Sequence, residues 1–286
     1  MRHITKFFLV IALFQIFVGP VFGDKIDMRL INQVSREDFN FGSFVLHTRT
    51  DPKKGYQIKQ SEFSFLGEKS LKFTIEKGDC FKKDCDSDRE RVEIKAKPKE
   101  AIKDREFWYR VAFYVPKETP VMWPMRYSIW QIKVDVEKEF NEKGCEQGRN
   151  LVLLYMSIKN NGIALSRHGD SFCKEHRDFF LARHFGPQKD AFGKWIDVTI
   201  HVGFYEDPKK GFIKAYIDSS PKRKFYFRGS MYKKGMLKAN IRTGIYNTFV
   251  SKSPDRGKRE LYIDALGSGR DCQEVQTTEF CSNRQN

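Results

Sequence analysis

Trp195-Ile196-Asp197-Val198-Thr199-Ile200-His201-Val202 changes from apolar to polar at nearly every step. Successive side chains of a strand point to opposite faces, so Ile196, Val198, Ile200 and Val202 share one side while Asp197, Thr199 and His201 share the other. The same period of two recurs along the chain. Leu71, Phe73 and Ile75 alternate with Lys72, Thr74 and Glu76, and Val92, Ile94 and Ala96 alternate with Arg91, Glu93 and Lys95. Phe107–Val115 is aromatic and β-branched until Pro116 stops it. Tyr127–Val134, Leu151–Ile158, Phe212–Ile217, Lys224–Phe227, Ile241–Tyr246 and Leu261–Leu266 read as further strands, and Asn160-Asn161-Gly162 turns Leu151–Ile158 back into Ile163–Leu165 as a hairpin. Only Val136–Lys143 and Lys174–Ala182 read as helices, both short and polar. Many short strands without strand–helix alternation predict an all-β sandwich, and their number and length suit a jelly roll with a concave polar face.

The chain of 286 residues is long enough for a full core, with 40% hydrophobic and 31% charged residues, as in an ordinary soluble globule. Its formal net charge is +15, spread along the sequence. A basic face on a folded domain favours polyanions: nucleic acid, anionic lipid or acidic polysaccharide. A role in solubility alone is the plainer account.

Arg2, His3 and Lys6 precede the apolar run Phe7–Val18, which Gly19-Pro20 interrupts before Gly23. This order predicts a signal peptide over residues 1–23, with an uncleaved anchor as the alternative. The mature chain, 24–286, reads as a single domain, secreted or periplasmic, with no membrane span after signal removal, and a monomer is expected. Six cysteines fit an exported protein and allow fifteen pairings. The local pairs Cys80–Cys85 and Cys272–Cys281 each close a short polar loop, which leaves Cys145–Cys173, and the second pair clasps a tail over about 271–286. No zinc-type ligand spacing is present.

Chemistry is suggested by Ile241-Arg242-Thr243-Gly244-Ile245-Tyr246-Asn247. Regular strand geometry puts Arg242, Gly244 and Tyr246 on one face, a cation and a phenol flanking a residue without a side chain. Two more strands present polar residues with the same period: Arg91, Glu93 and Lys95 on one, Gln131 and Lys133 on the other. Each alone is what any solvated sheet shows. Gathered on one concave sheet, they would form a site.

In this order along the chain, Arg91-x-Glu93-x-Lys95, Gln131-Ile132-Lys133 and Arg242-Thr243-Gly244-Ile245-Tyr246-Asn247 resemble the three signature strands of the jelly-roll polysaccharide lyases. In the alginate-lyase branch these read R-x-E-x-R, Q-I-H and Y-F-K-A-G-x-Y-x-Q. The surroundings resemble relatives around glucuronan lyase and heparin lyase type I: Gly78-Asp79-Cys80 leading to Asp84-Cys85 and Asp88–Glu93, then Gly193–Val202, then Leu261-Tyr262-Ile263-Asp264. The resemblance spans roughly residues 40 to 270 and implies a concanavalin A-like jelly roll that cuts a polyuronate by β-elimination. It implies that Gln131 and Arg91 neutralise the substrate carboxylate, that Glu93 holds Arg91, and that Tyr246 serves as base, acid or both. Neighbouring Arg242 and Lys133 would lower the phenol's pKa.

Lys133 stands where the alginate branch has His. Tyr246 handling both proton steps would suit a glucuronan-like substrate, with alginate or heparin-like polymers as alternatives, unless Lys133 or a nearby His supplies a base. His201 is the spare imidazole considered for this. Arg110, Tyr114 and His168 are further subsite candidates, with sheet packing as the other reading of each. Trp130 faces opposite to Gln131 and belongs to the core. No cofactor is required by this chemistry; a structural calcium bound through loop carboxylates such as Asp264 is the one metal considered. Two other classes remain: a lectin-like binder of acidic polysaccharide, and a nucleic-acid binder, disfavoured because no metal-ligand cluster or recognisable motif accompanies the charge.

Overall fold

A computed structural model describes residues 44–96, 101–120, 126–137, 150–159, 162–167, 181–184, 192–232, 234–253 and 257–284. The signal segment 1–23, the Cys145–Cys173 pairing and His168 lie outside the described residues. The strands follow in order: β1 (Phe44–Leu46), β2 (Ile58–Ser61), β3 (Ser70–Ile75), β4 (Arg89–Ala96), β5 (Arg105–Tyr114), β6 (Arg126–Val136) and β7 (Asn150–Lys159). They continue with β8 (Gly162–Arg167), β9 (Leu181–His184), β10 (Trp195–Phe204), β11 (Phe212–Ile217), β12 (Phe225–Arg228), β13 (Met236–Thr248) and β14 (Arg259–Gly269). A six-residue helix, α1 (Thr278–Asn283), ends the described chain.

Two antiparallel seven-stranded sheets result. The front sheet runs β1-β4-β13-β6-β7-β8-β9 and the back sheet β12-β11-β10-β5-β14-β3-β2. The chain passes repeatedly between layers, from β3 to β4, back to β5, and again to β6, which is how a jelly roll interleaves its two sheets. The alternation read from the sequence then does its work. Ile196, Val198, Ile200 and Val202 of β10 meet Val92, Ile94, Trp130 and Ile132 of the front sheet in one core, together with Phe73, Phe113 and Phe204. Each such side chain, fully buried, stabilises the fold by about 1.5–3 kcal/mol. At one edge, Arg167 of β8 donates to the Ser230 carbonyl (2.7 Å) and lies 4.5 Å over the Phe227 ring of β12, so the two sheets are stapled there.

Both helix expectations need correction where the residues are described. Val136 closes β6, and Leu181 and Ala182 open β9. Polar composition alone misread these strand ends. Short β2 was also not anticipated, because its four residues, Ile-Lys-Gln-Ser, carry almost no apolar signal. The expected pairs Cys80–Cys85, ahead of β4, and Cys272–Cys281, in the tail, are both formed. Beyond β14, Thr277 caps α1 by accepting from the Phe280 N–H, and Val275 and Phe280 are buried with Trp108 and Tyr216 on the outer face of the back sheet.

Gly244 plays a different part from the one expected. It adopts φ +127° where β13 slips register against β6 between Thr243 and Tyr246. A Cβ there would run into the Val92 carbonyl, the Glu93 backbone and the Phe73 ring. The glycine therefore serves a bulge that packs against β4 and the core, rather than opening space for a ligand. The bulge keeps Ile241 and Ile245 inward and Arg242 and Tyr246 outward. Gly244→Ala is expected to destabilise the protein by about 2 kcal/mol or more, from the strained φ plus the clash. A urea unfolding midpoint equal to wild type, at unchanged slope, would contradict this.

Candidate active site

The outer face of the front sheet carries a pocket of about 220 Å³ lined by Gln131, Lys133, Tyr155, Tyr246 and Phe249, with Ser128 and Arg89 among its other walls. Adjacent β4, β13 and β6 supply most of it, and the register fixes the neighbours: Tyr246 lies opposite Arg91, Gly244 opposite Glu93, and Arg242 opposite Gln131. A second irregularity, between Ser128 and Trp130, lets Ile129 and Trp130 both enter the core while Ser128 and Gln131 face the pocket.

Beneath the pocket lies a buried charge cluster. Arg91 is 3% exposed. Its Nε donates to Asp84 Oδ2 at 2.8 Å and its Nη1 to Glu93 Oε2 at 3.0 Å, while the Tyr246 ring covers its guanidinium with the centroid 3.9 Å away. Burial opposes its charge, but Glu93, Tyr246 and Asp84 hold it protonated above the ordinary arginine value. The other carboxylate oxygen of Glu93 accepts from the Gln131 amide. Asp84, fully buried in the turn closed by Cys80–Cys85, also receives Arg49 (3.0 Å). Glu93 and Asp84 thus fix the Arg91 guanidinium between them, with the Tyr246 ring over it.

His47, just beyond β1, was missed in the sequence because its segment has no clear periodicity. It is buried against the same cluster: Arg242 Nη1 donates to its Nε2 at 2.8 Å, with Arg91 Nη1 at 3.5 Å. Burial, then Arg91 and Arg242, keep this imidazole neutral. Two more pocket residues were unforeseen. Tyr155 of β7 pairs across from Gln131. Phe249 is 46% exposed at the rim in the left-handed region (φ 63°), anchored by its N–H to the Asp88 carbonyl. An apolar ring so held at a pocket mouth is an ordinary way to seat a sugar face.

The phenol and the amine are shifted in opposite directions by their surroundings. Tyr246 was expected to have a lowered pKa. Instead burial raises it, and the pull of Arg91 and Arg89 does not compensate. Lys133 is displaced the other way, to about 7 from an ordinary 10.5, by burial and then by Arg242, with Arg91 and Arg49 adding and Glu93 opposing. The site holds an amine that is half neutral near pH 7 and a phenol that keeps its proton. Lys95 lies across from Arg242, half-buried and away from the pocket lining.

Three sequence candidates sit on the back sheet, across the core from this pocket. Arg110 forks onto Asp197 (2.9 and 3.0 Å), buried under the tail. Tyr114 packs among Phe63, Trp195 and Tyr262. His201 stacks on Trp108 (3.8 Å) and contacts Glu106 (2.8 Å); burial, Lys214 and Arg284 lower its pKa to about 3. All three lie on the sheet opposite the pocket, because alternation assigns a face of a strand but not which sheet the strand joins. Asp264, considered for calcium, turns its carboxylate onto the backbone N–H groups of Phe65, Leu66 and Ala265. Among the described residues no cluster of three metal-ligating side chains occurs, and no helix is long and apolar enough to cross a membrane.

Two kinds of comparison bear on this jelly roll and its pocket. The family described as polysaccharide lyase matches residues 39–267, and the chain belongs to that family. Endo-β-1,4-glucuronan lyase from the fungus Trichoderma reesei shares the fold with a TM-score of 0.61 at 17% identity, over 76% of this chain and 88% of that one. An alginate lyase from Chlorella virus aligns with TM-score 0.53 at 8% identity, covering 87% and 99% of the two chains. A β-glucanase catalytic domain from Podospora anserina also aligns, with TM-score 0.51 at 12% identity, over 86% and 95%. No curated protein matches the chain by sequence. The glucanase shows that the fold alone does not dictate the reaction; the family match does.

The Lys133 ammonium, followed by side-chain NMR, should titrate with a midpoint near 7. Arg242→Ala should raise that midpoint, because a repelling cation is removed, and Glu93→Gln should lower it further. Between about 7 and 10.5 the unfolded chain binds the extra proton, so this group's contribution to stability improves as pH rises through that window. A midpoint near 10 in the native protein would contradict the charge arrangement.

Proposed function

We propose that the protein is a secreted lyase that cleaves a uronate-containing polysaccharide by β-elimination, with Lys133 as base and Tyr246 as acid. The observation that carries this is the opposite displacement of two titratable groups lining one pocket, with Gln131 on the strand beside them. Environments that push two pKa values apart assign the acid and base roles. The C5 proton of a uronate is barely acidic while its carboxylate is charged. Gln131 offers an amide N–H to that carboxylate, and the surplus of the part-exposed Arg49 and the buried Arg91 and Arg242 over Asp84 and Glu93 stabilises the enolate-like charge that develops. Neutral Lys133 takes the C5 proton. The C4–O4 bond then breaks, its electron pair leaves with O4, and Tyr246 protonates that oxygen. The products are a C4=C5 unsaturated uronate and a new chain end, and no water is consumed. Phe249 would stack against a neighbouring sugar.

Separate acid and base groups no longer require the C5 proton and O4 to lie on the same side. The preference for glucuronan therefore rests on the likeness to the Trichoderma reesei fold and on the residues quoted above, with alginate and heparin-like chains as further substrates to try. Export is supported by the two disulfides, which persist in oxidising compartments.

Incubation with glucuronan, alginate, heparin and hyaluronan should produce the ultraviolet absorbance of an unsaturated uronate from at least one polymer. Retardation of a polymer on a gel without that signal would mean a lectin. Tyr246→Phe and Lys133→Met should each lower kcat by about 10²–10⁴-fold with polymer binding retained. The rising limb of kcat near pH 7 should disappear in Lys133→Met. Wild-type kcat in both variants would remove them from the mechanism.

A further inference from the structure

The outer face of the back sheet bears a second cationic surface, remote from the pocket. Between residues 209 and 228 there are seven lysines and arginines and a single acid, Asp218. They fall on β11, β12 and the two flanking turns, at one edge of the sheet. Lys214 pairs with Tyr226 on one side and His201 on the other, so one row of outward side chains runs Tyr226, Lys214, His201 and, by the next pairing, Trp108. The tail covers part of this face: Arg284 lies 5.0 Å over Trp108, and Phe280 packs edge-on against Tyr216. It leaves the β11–β12 end open. There Tyr226 is 43% exposed, an unusual state for a large aromatic ring, with the Arg223 guanidinium 4.3 Å over its face. Two of the three charges acting on Lys214, Arg223 and Arg284, are cations, and only Glu106 opposes them.

A cluster of cations beside an exposed aromatic ring matches the needs of a sugar chain bearing anionic groups: charge for the carboxylates, a ring face for the sugar's C–H surface. We propose that Lys214, Arg223 and Tyr226 form an auxiliary, non-catalytic binding surface for acidic polysaccharide, which holds long chains on the enzyme while the front pocket cuts. Arg167 of β8 staples β12 to the front sheet, so the surface lies at an edge where the two sheets meet. The uronate reading of the pocket supplies the identity of the polymer; the surface itself is tested separately from turnover.

The test compares wild type with Lys214→Ala/Arg223→Ala/Tyr226→Ala, and with Lys77→Ala/Lys117→Ala, which removes two exposed charges elsewhere. Affinity electrophoresis through glucuronan, alginate or heparin should show the triple variant bound about tenfold more weakly and the control close to wild type. This reading needs no catalysis, so it stands even if no polymer is cleaved. Where cleavage occurs, KM for long chains should rise in the triple variant, while kcat/KM for a short oligouronate stays unchanged. Equal retardation of the triple variant and wild type would overturn the proposal. So would an equal loss in the control, or tighter binding of single-stranded DNA than of any acidic polysaccharide at the same salt. Because three simultaneous changes could disturb the sheet edge, Tyr226→Ser alone is measured alongside; it should weaken polymer binding at an unchanged unfolding midpoint.

Discussion

The ion pairing of Arg91 with Asp84 and Glu93, sealed from water beneath the pocket, is what the rest of the site depends on. Two carboxylates bury cheaply only because guanidiniums meet them, and the guanidiniums only because the carboxylates do. Everything that faces the pocket is placed by this arrangement. Glu93 orients the Gln131 amide, Arg91 supports the Tyr246 ring, and the remaining cations, Arg49 and Arg242, leave a positive excess that a nearby amine must feel. The altered basicity of Lys133 follows first from its burial in the pocket wall and then from the cations beneath it, Arg242 foremost.

Much of the fold was legible because period-two alternation is a strong signal when one face must be dry. The core side chains of β3, β4, β10 and β14 could be named from it, and so could the inward turn of Trp130. The same signal is silent about which sheet a strand enters. Arg110, Tyr114 and His201 looked like site residues for that reason: they face outward, but from the other layer. His47 and Asp84 failed in the opposite way. One follows a three-residue strand and the other sits in a short 3-10 turn, so neither has enough regular neighbours to reveal its direction. What brings them to Arg91 is tertiary, across 44 and 7 residues of chain respectively.

Charge reasoning from sequence also picked the wrong winner at Tyr246. Proximity to cations was counted and loss of hydration was not. In the folded protein the ring lies against Arg91, close enough for a favourable contact, yet removal from water outweighs it. At Lys133 burial and neighbouring cations act in the same direction, which is why the larger change falls there. The replacement of the imidazole expected at that position thus leaves the site with a group that titrates in a similar range by a different physical route.

Asp84 rides on a small covalent ring closed by Cys80–Cys85, not on any of the strands it serves. Ser128, Tyr155 and Phe249 wall the pocket from other pieces of chain than the ring that carries the anion steadying Arg91. Such a division lets the wall vary while its electrostatic footing stays put.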